Sequence, residues 1–254
     1  MIPDFEISRH AVLRRHTFWS VSDLGVVQRP HGYDQDLLAT ILAKALSLES
    51  EYARKMHLNL KYIRAAHELI PEINELLESE KRLNALSESA GVELENYPVS
   101  VIRSTITFMG SDKKVGSIDW HSDGVPVTEI IPLAISSDLD GGELEIYRGD
   151  FDEGLAILKN GEVFSDNELM KVSHRLGSST LAQLIRVLHR TAPIHTGSRI
   201  SLNLNMRSRE RPYIDDNSLV YLGADNPDFE WQDAYIDDVK NRQLPAYRAF
   251  QGEP

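Results

Sequence analysis

The chain has 254 residues, a formal charge of −12 and no cysteine, a length that suits one large domain or two small ones. The missing thiols exclude disulfides, thiolate metal sites and a cysteine nucleophile, so a bound metal must be held by His and carboxylates. The acidic balance disfavours nucleic acid and anionic membranes as partners; no apolar run approaches the roughly 20 residues of a membrane span, and the charged segment Met1–Arg15 does not read as a signal peptide, so cytoplasmic residence is the default.

The first thirty residues, with His16, Phe18 and Trp19 among charged positions, show no clear period and read as irregular or short-strand structure. Asp34 reads as an N-cap, and behind it Leu37, Ile41, Ala45 and Leu38, Leu42, Leu46 form adjacent stripes of helical spacing. The helical signal continues through Tyr52, Met56, Leu60 and Ile63 to about Ile70, as one helix or two. Pro71 fits the first turn of a further helix, with Ile73, Leu76 and Leu77 as its apolar face and Gly91 as its exit. Near Pro98 the pattern changes to strands. The β-branched run 99–108 predicts a strand with Arg103, Thr105 and Thr107 on one face, and a turn over Gly110–Lys114 follows. Strands are predicted over Thr128–Ile135 and Glu143–Tyr147, separated by the turn Asp138-Leu139-Asp140-Gly141-Gly142. Segments at Leu155–Leu158, Leu181–Leu188 and Ser198–Met206 complete the series. Many short strands broken by Gly, Pro, Asn and Asp predict a sandwich or barrel rather than a βαβ sheet. The expected organisation is a single domain: a mostly helical layer over 1–97, a β core over 98–208 and a covering segment over 209–254.

Candidate chemistry centres on Trp120-His121-Ser122-Asp123-Gly124. Two residues apart on a strand, His121 and Asp123 share a face, and a His with a carboxylate supplies two members of the facial triad that holds non-haem Fe(II) with open positions. Chance would nearly supply one such pair in a chain of this composition, so its partners decide its meaning. The strand Arg199-Ile200-Ser201-Leu202-Asn203-Leu204-Asn205-Met206-Arg207 alternates strictly, with five polar side chains on one face and four apolar ones on the other. Taken alone, that face could meet water; with His189 ten residues before it, the pocket-lining alternative is favoured. Trp120 points away from the His121 face on a regular strand, so core packing is its expected role.

His121-x-Asp123, His189, and Arg199 followed at plus two by Ser201 resemble the pattern of the Fe(II)- and 2-oxoglutarate-dependent dioxygenases. The Asp140-Gly141-Gly142-Glu143-Leu144 and His189-Arg190 stretches are also similar. The resemblance covers Val99 to Arg207 and implies a mainly β fold, a double-stranded β-helix (jelly-roll) core flanked by N-terminal helices. It implies His121, Asp123 and His189 as Fe(II) ligands, Arg199 and Ser201 as partners of the distal carboxylate of 2-oxoglutarate, and O2 as co-substrate. A small-molecule substrate, such as an amino acid or related metabolite, would be oxidised, with succinate and CO2 as co-products. Retention of the Asp123 carboxylate points to hydroxylation rather than halogenation. His174 and His195 compete with His189 for the distal ligand position but lack an Arg-x-Ser at the required distance. Substrate contacts are expected among Arg103, Thr105, Asn203, Asn205 and Arg207, with a structural ion pair as the equal alternative for Arg103. An arginine facing the cavity would imply an anionic substrate. A metal-binding jelly-roll sensor and a His/His/Asp Zn(II) hydrolase remain as rival functions, and the oligomeric state is open.

Overall fold

The computed structural model describes residues 3–15, 19–55, 61–111 and 117–251. Expectations for His16, Phe18, Met56 and Leu60, and for most of the turn over Gly110–Lys114, lie outside these residues.

The strands in chain order begin with β1 (Phe5–Ser8), β2 (Leu24–Pro30), β3 (Arg54–Lys55), β4 (Lys61–Arg64), β5 (Leu94–Asn96), β6 (Ser104–Gly110), β7 (Ile118–His121) and β8 (Val127–Ile135). They continue with β9 (Asp140–Gly141), β10 (Leu144–Tyr147), β11 (Leu169–Val172), β12 (Ser178–Ala182), β13 (His189–Thr191), β14 (Ile194–Thr196) and β15 (Ser198–Ser208). The larger sheet runs β1-β2-β12-β8-β15-β6-β4-β3, with β5 paired to the far end of β15, and the smaller runs β11-β10-β13-β7. Pairing within both is antiparallel. Val26 and Ala182 of the larger sheet share one buried cluster with Leu144, Ile146, Met170 and Val172 of the smaller, so the sheets meet through apolar faces. Mostly β with helices, the architecture is consistent with a jelly-roll core.

Ten α-helices are present among the described residues. The first six are α1 (Arg9–Leu13), α2 (Gln35–Tyr52), α3 (Ala66–Leu69), α4 (Ile73–Leu77), α5 (Glu80–Ala90) and α6 (Ser100–Arg103). The others are α7 (Phe151–Lys159), α8 (Leu219–Asp225), α9 (Gln232–Asp238) and α10 (Leu244–Gln251), the last two joined by a π-helical turn, Val239–Gln243. None is long and apolar enough to cross a membrane. Asp34 caps α2 by accepting from the Asp36 and Leu37 amides, and Leu38, Ile41 and Ala45 form its buried face. That face packs with α3 and α4 on Ile106, Ile131, Leu202 and Leu204 of the larger sheet. The even-numbered side chains of β15 thus point to the helices and its odd-numbered ones away from them.

Four expected elements differ. The helical signal past Tyr52 ends at the Ala53 C-cap, and Lys61–Arg64 is a strand captured by pairing with β6. Ser100–Arg103 is a helical turn rather than part of a strand, and register explains it. Asn96 opposes Met206 and Ser104 opposes Leu204 on the same strand, so the seven residues 97–103 face a gap of one and must loop out. Leu155–Leu158 lies within α7, which Asp150 caps through the Asp152 and Glu153 amides; a short apolar run does not by itself distinguish the two structures. Finally, Leu181–Leu188 is strand only to Ala182. Its remainder crosses from the larger sheet to the smaller, with Arg186 in a left-handed conformation (φ 51°) and the buried Arg9 guanidinium donating to the Gln183 and Ile185 carbonyls.

Candidate metal centre and its cavity

The smaller sheet sets His121 directly opposite His189 on adjacent strands, with ring centroids 4.2 Å apart. Asp123 lies beyond the end of β7 rather than within a regular strand. A parallel bridge to Ile185 and an amide donated to the Leu184 carbonyl hold it there. Its Oδ1 is 3.6 Å from His121 Nε2 and 3.5 Å from His189 Nε2. One donor atom from each residue falls within 4.8 Å of the others, the arrangement a single metal ion requires. His121 Nδ1 lies 2.7 Å from the Asp119 carbonyl and His189 Nδ1 2.9 Å from the Val187 carbonyl. A carbonyl only accepts, so both Nδ1 atoms carry hydrogen and both Nε2 lone pairs converge beside the carboxylate.

Burial works against the charge on Asp123, but the His189 and His121 imidazoles outweigh it and hold the carboxyl well below the usual range. Burial likewise lowers His121, yet hydrogen bonding and charge from Asp123, with the Asp119 contribution, leave its pKa raised. Gly124 follows the triad's carboxylate where a Cβ would collide with the Asn217 amide, and its carbonyl accepts from the Asp216 amide at 3.0 Å. The absence of a side chain there lets the C-terminal segment close over the site.

The triad opens into a cavity of about 860 Å³, large enough for a cosubstrate and a small substrate together. Its opposite wall is the polar face of β15 and β6, with Arg199, Ser201, Asn203, Asn205, Thr105 and Thr107. The pocket-lining reading of that strand is the observed one. Arg199 is 4% exposed; it donates from one Nη to the Gly142 carbonyl at 2.7 Å and from the other to Met109 Sδ at 3.3 Å. Gly142 reaches that position through a left-handed turn in which a Cβ at Gly141 would strike the Pro193 carbonyl. Arg199 Nε and Ser201 Oγ are buried without a partner. Desolvation pushes the Arg199 pKa down to about 10, with Glu143 opposing. An oxyanion beside Arg199 and Ser201 would satisfy both orphaned donors.

Of the five expected substrate contacts, Thr105, Asn203 and Asn205 line the cavity, although Asn205 is also committed to the Thr128 hydroxyl and the Ile102 carbonyl. Arg103 and Arg207 do not. Arg103 sits on α6 and donates to the Tyr97 and Pro98 carbonyls. Arg207, past the cavity, pairs with Glu95 at 2.9 Å and Asp238 at 2.6 Å. His174 lines the cavity but is not part of the triad cluster, and His195 is exposed on β14. Trp120 is only half-buried; it packs edge-on against Phe164 and under the Arg190 guanidinium, 4.8 Å from its ring centroid. Three contributions were not foreseen from the sequence: Arg64 from β4, Arg186 from the crossover, and Asn217, Tyr221 and Leu222 from the C-terminal segment. Their only local signal is polarity, which surface residues share.

No family model and no curated protein matches the chain. Solved structures do. The non-haem 2-oxoglutarate-dependent epimerase SnoN from nogalamycin biosynthesis is 17% identical, with 73% of this chain and 77% of that one covered at a TM-score of 0.54. The carbocyclase SnoK from the same biosynthesis is 16% identical, covering 80% and 85% at 0.55. EctD from S. alaskensis, solved with 2-oxoglutarate and 5-hydroxyectoine, is 15% identical, covering 81% and 87% at 0.54. The chain thus shares the fold of solved 2-oxoglutarate-dependent enzymes, and within that fold it carries a His–Asp–His triad facing a cavity.

Proposed function

We propose that the protein is an Fe(II)- and 2-oxoglutarate-dependent oxygenase, a single-domain enzyme on a double-stranded β-helix core, that hydroxylates a small molecule. The observation that carries this is the pairing of two half-sites in one cavity: a metal-ready triad, and a buried arginine and serine with orphaned donors. His121, Asp123 and His189 would hold the metal on one face, as their neutral nitrogens and carboxylate suit Fe(II). Arg199 and Ser201 would hold the distal carboxylate of 2-oxoglutarate, the guanidinium as a charge-assisted donor and the hydroxyl beside it. When bound, these groups supply oxidative decarboxylation of 2-oxoglutarate by O2 to succinate and CO2, with the second oxygen atom transferred to the substrate. The chain's own contribution is position. The Nδ1 anchors fix both imidazoles, the Gly142 carbonyl fixes Arg199, and Asn217 with Tyr221 and Leu222 of α8 adds a further wall to the cavity.

A Zn(II) hydrolase would use the same triad but leave the Arg199 clamp without a ligand, and a binding protein would form no succinate. The epimerase and carbocyclase among the similar folds show that hydroxylation does not follow from architecture; it is assigned from the retained Asp123. The test is a substrate screen by mass spectrometry with Fe(II), 2-oxoglutarate and ascorbate. A gain of one oxygen with stoichiometric succinate is expected. Loss of two hydrogens instead would replace hydroxylation by desaturation or ring closure, and no metal-dependent 2-oxoglutarate binding would overturn the class.

A further inference from the structure

Four arginines line the cavity: Arg15, Arg64, Arg186 and Arg199. Two are neutralised, Arg15 by Asp150 and Arg186 by Asp216 at 3.0 Å. Arg64 and Arg199 form no ion pair among the described residues, and each has a buried Nε with no hydrogen-bond partner. The reading above gives Arg199 its anion. Arg64 is then a second guanidinium facing the same cavity with an unmet donor.

Arg64 is also held in place for a ligand. It ends β4 opposite Thr105 of β6, which in turn opposes Asn203 of β15, so the three form one row across the sheet. Arg64 Nη1 donates to Thr105 Oγ1 at 3.3 Å, and the guanidinium lies over the Tyr62 ring, 4.4 Å from its centroid. Stacking fixes its plane and leaves the Nε edge, the edge that meets a carboxylate in two parallel hydrogen bonds. Asn203 is half-buried, and its side-chain amide makes no hydrogen bond among the described residues. Four residues along β15 separate Asn203 from Arg199, roughly 13 Å, and Arg64 lies two strands farther across, roughly 10 Å. At that separation the two arginines serve different anions.

We propose that Arg64, with Thr105 and Asn203 beside it, binds the carboxylate of the substrate, so that the substrate is a small carboxylic acid. The inference rests on the oxygenase reading, which supplies the ligand of Arg199. It also returns the anionic substrate expected from Arg103 and Arg207 to a different residue. Asp225 of α8 lines the same cavity and, like Arg64, acts electrostatically on the Tyr62 hydroxyl, so amino acids, whose ammonium a carboxylate accepts, belong among the probes.

The experiment uses the full chain loaded with Mn(II) and saturating 2-oxoglutarate, and measures thermal protection by L-amino acids and simple monocarboxylic acids, each beside its primary amide, with inorganic phosphate as a further probe. At least one acid is expected to protect where its amide does not, and Arg64→Gln is expected to weaken that acid's binding roughly tenfold or more while 2-oxoglutarate still binds. Arg64→Lys should recover part of the loss. The proposal is overturned if no acid outperforms its amide, if phosphate protects and no acid does, or if Arg64→Gln keeps the acid's affinity. Metal-dependent protection by 2-oxoglutarate alone is read first. Its absence defeats the oxygenase reading, whereas its presence with no acid-over-amide preference defeats only the role of Arg64.

Discussion

At the scale of single residues, Asp123 touches both imidazoles and sits outside any regular strand, so its carboxylate is the one triad member whose removal leaves the sheet pairing of β7 with β13 intact. Asp123→Ala should abolish metal-dependent 2-oxoglutarate turnover, measured as succinate, with the circular dichroism of the folded chain retained. Undiminished turnover would place the metal elsewhere. Arg199→Ala should raise the 2-oxoglutarate concentration needed for half-maximal succinate formation roughly 10- to 100-fold, the worth of a charged hydrogen-bonded contact, and leave the Fe(II) requirement near its original value. Equal increases in both would instead indicate damage to the fold. The candidate ligands were legible in the sequence through donor type and order along the chain, with His121 and Asp123 two residues apart and His189 ten residues before Arg199. Arg64 was not, because its role depends on which strand pairs with β6, a contact with a residue more than forty positions away.

Among the elements, a buried polar knot joins the helical layer to the sheet. Glu129 of β8 is fully buried and accepts from Arg82 of α5 at 2.7 Å, from Ser179 of β12 at 2.7 Å and from Tyr33, just before α2, at 2.6 Å. Removing one partner strands the other charge in a dry site, where it cannot be rehydrated. Glu129→Ala should cost about 3–5 kcal/mol in urea denaturation; a loss below about 1 kcal/mol would show that water or neighbouring carbonyls compensate Arg82. The same contrast explains which elements could be read in advance. The Asp34 cap and the apolar stripe of α2 are local, and so is the alternation of β15. The helical turn at Ser100–Arg103 is a consequence of register against β15, and the crossover at 183–188 passes between two sheets; neither leaves a periodic signature.

For the whole molecule, the C-terminal segment is docked through charged and polar contacts as well as apolar ones. Trp231 and Leu222 pack on Tyr97 and Val101, Arg207 grips Asp238, and Asp215 accepts from the Tyr97 hydroxyl at 2.5 Å and from Asn217. Burial pushes the Asp215 carboxyl up to about 6, against the Tyr97 and Asn217 hydrogen bonds, which lower it. A folded-state value above the ordinary one near 4 favours the protonated acid. Its contribution to stability is therefore fully present below about pH 4 and is lost as pH rises through about 6. Amide exchange across residues 215–243, corrected for intrinsic rates, should be faster at about pH 7.5 than at about pH 5.5, with β6, β8 and β15 unchanged. Asp215→Asn should remove the difference, and equal corrected rates in the unmodified chain would show that Asp215 does not govern docking. Because Asn217, Tyr221 and Leu222 of this segment line the cavity, such loosening would open the site.

By itself the sequence singled out the candidate triad His121, Asp123 and His189, the candidate pair Arg199 and Ser201, the first long helix and the two-faced strand that backs the cavity. Each is carried by donor type, capping chemistry or period. Only the tertiary structure decided which arginines face the cavity, because Arg64, Arg103, Arg199 and Arg207 carry the same charge and differ in what surrounds them. Arg103 and Arg207 are consumed by carbonyls and carboxylates of neighbouring segments, whereas strand pairing turns Arg64 and Arg199 toward the cavity, where each keeps a buried Nε without a hydrogen-bond partner among the described residues.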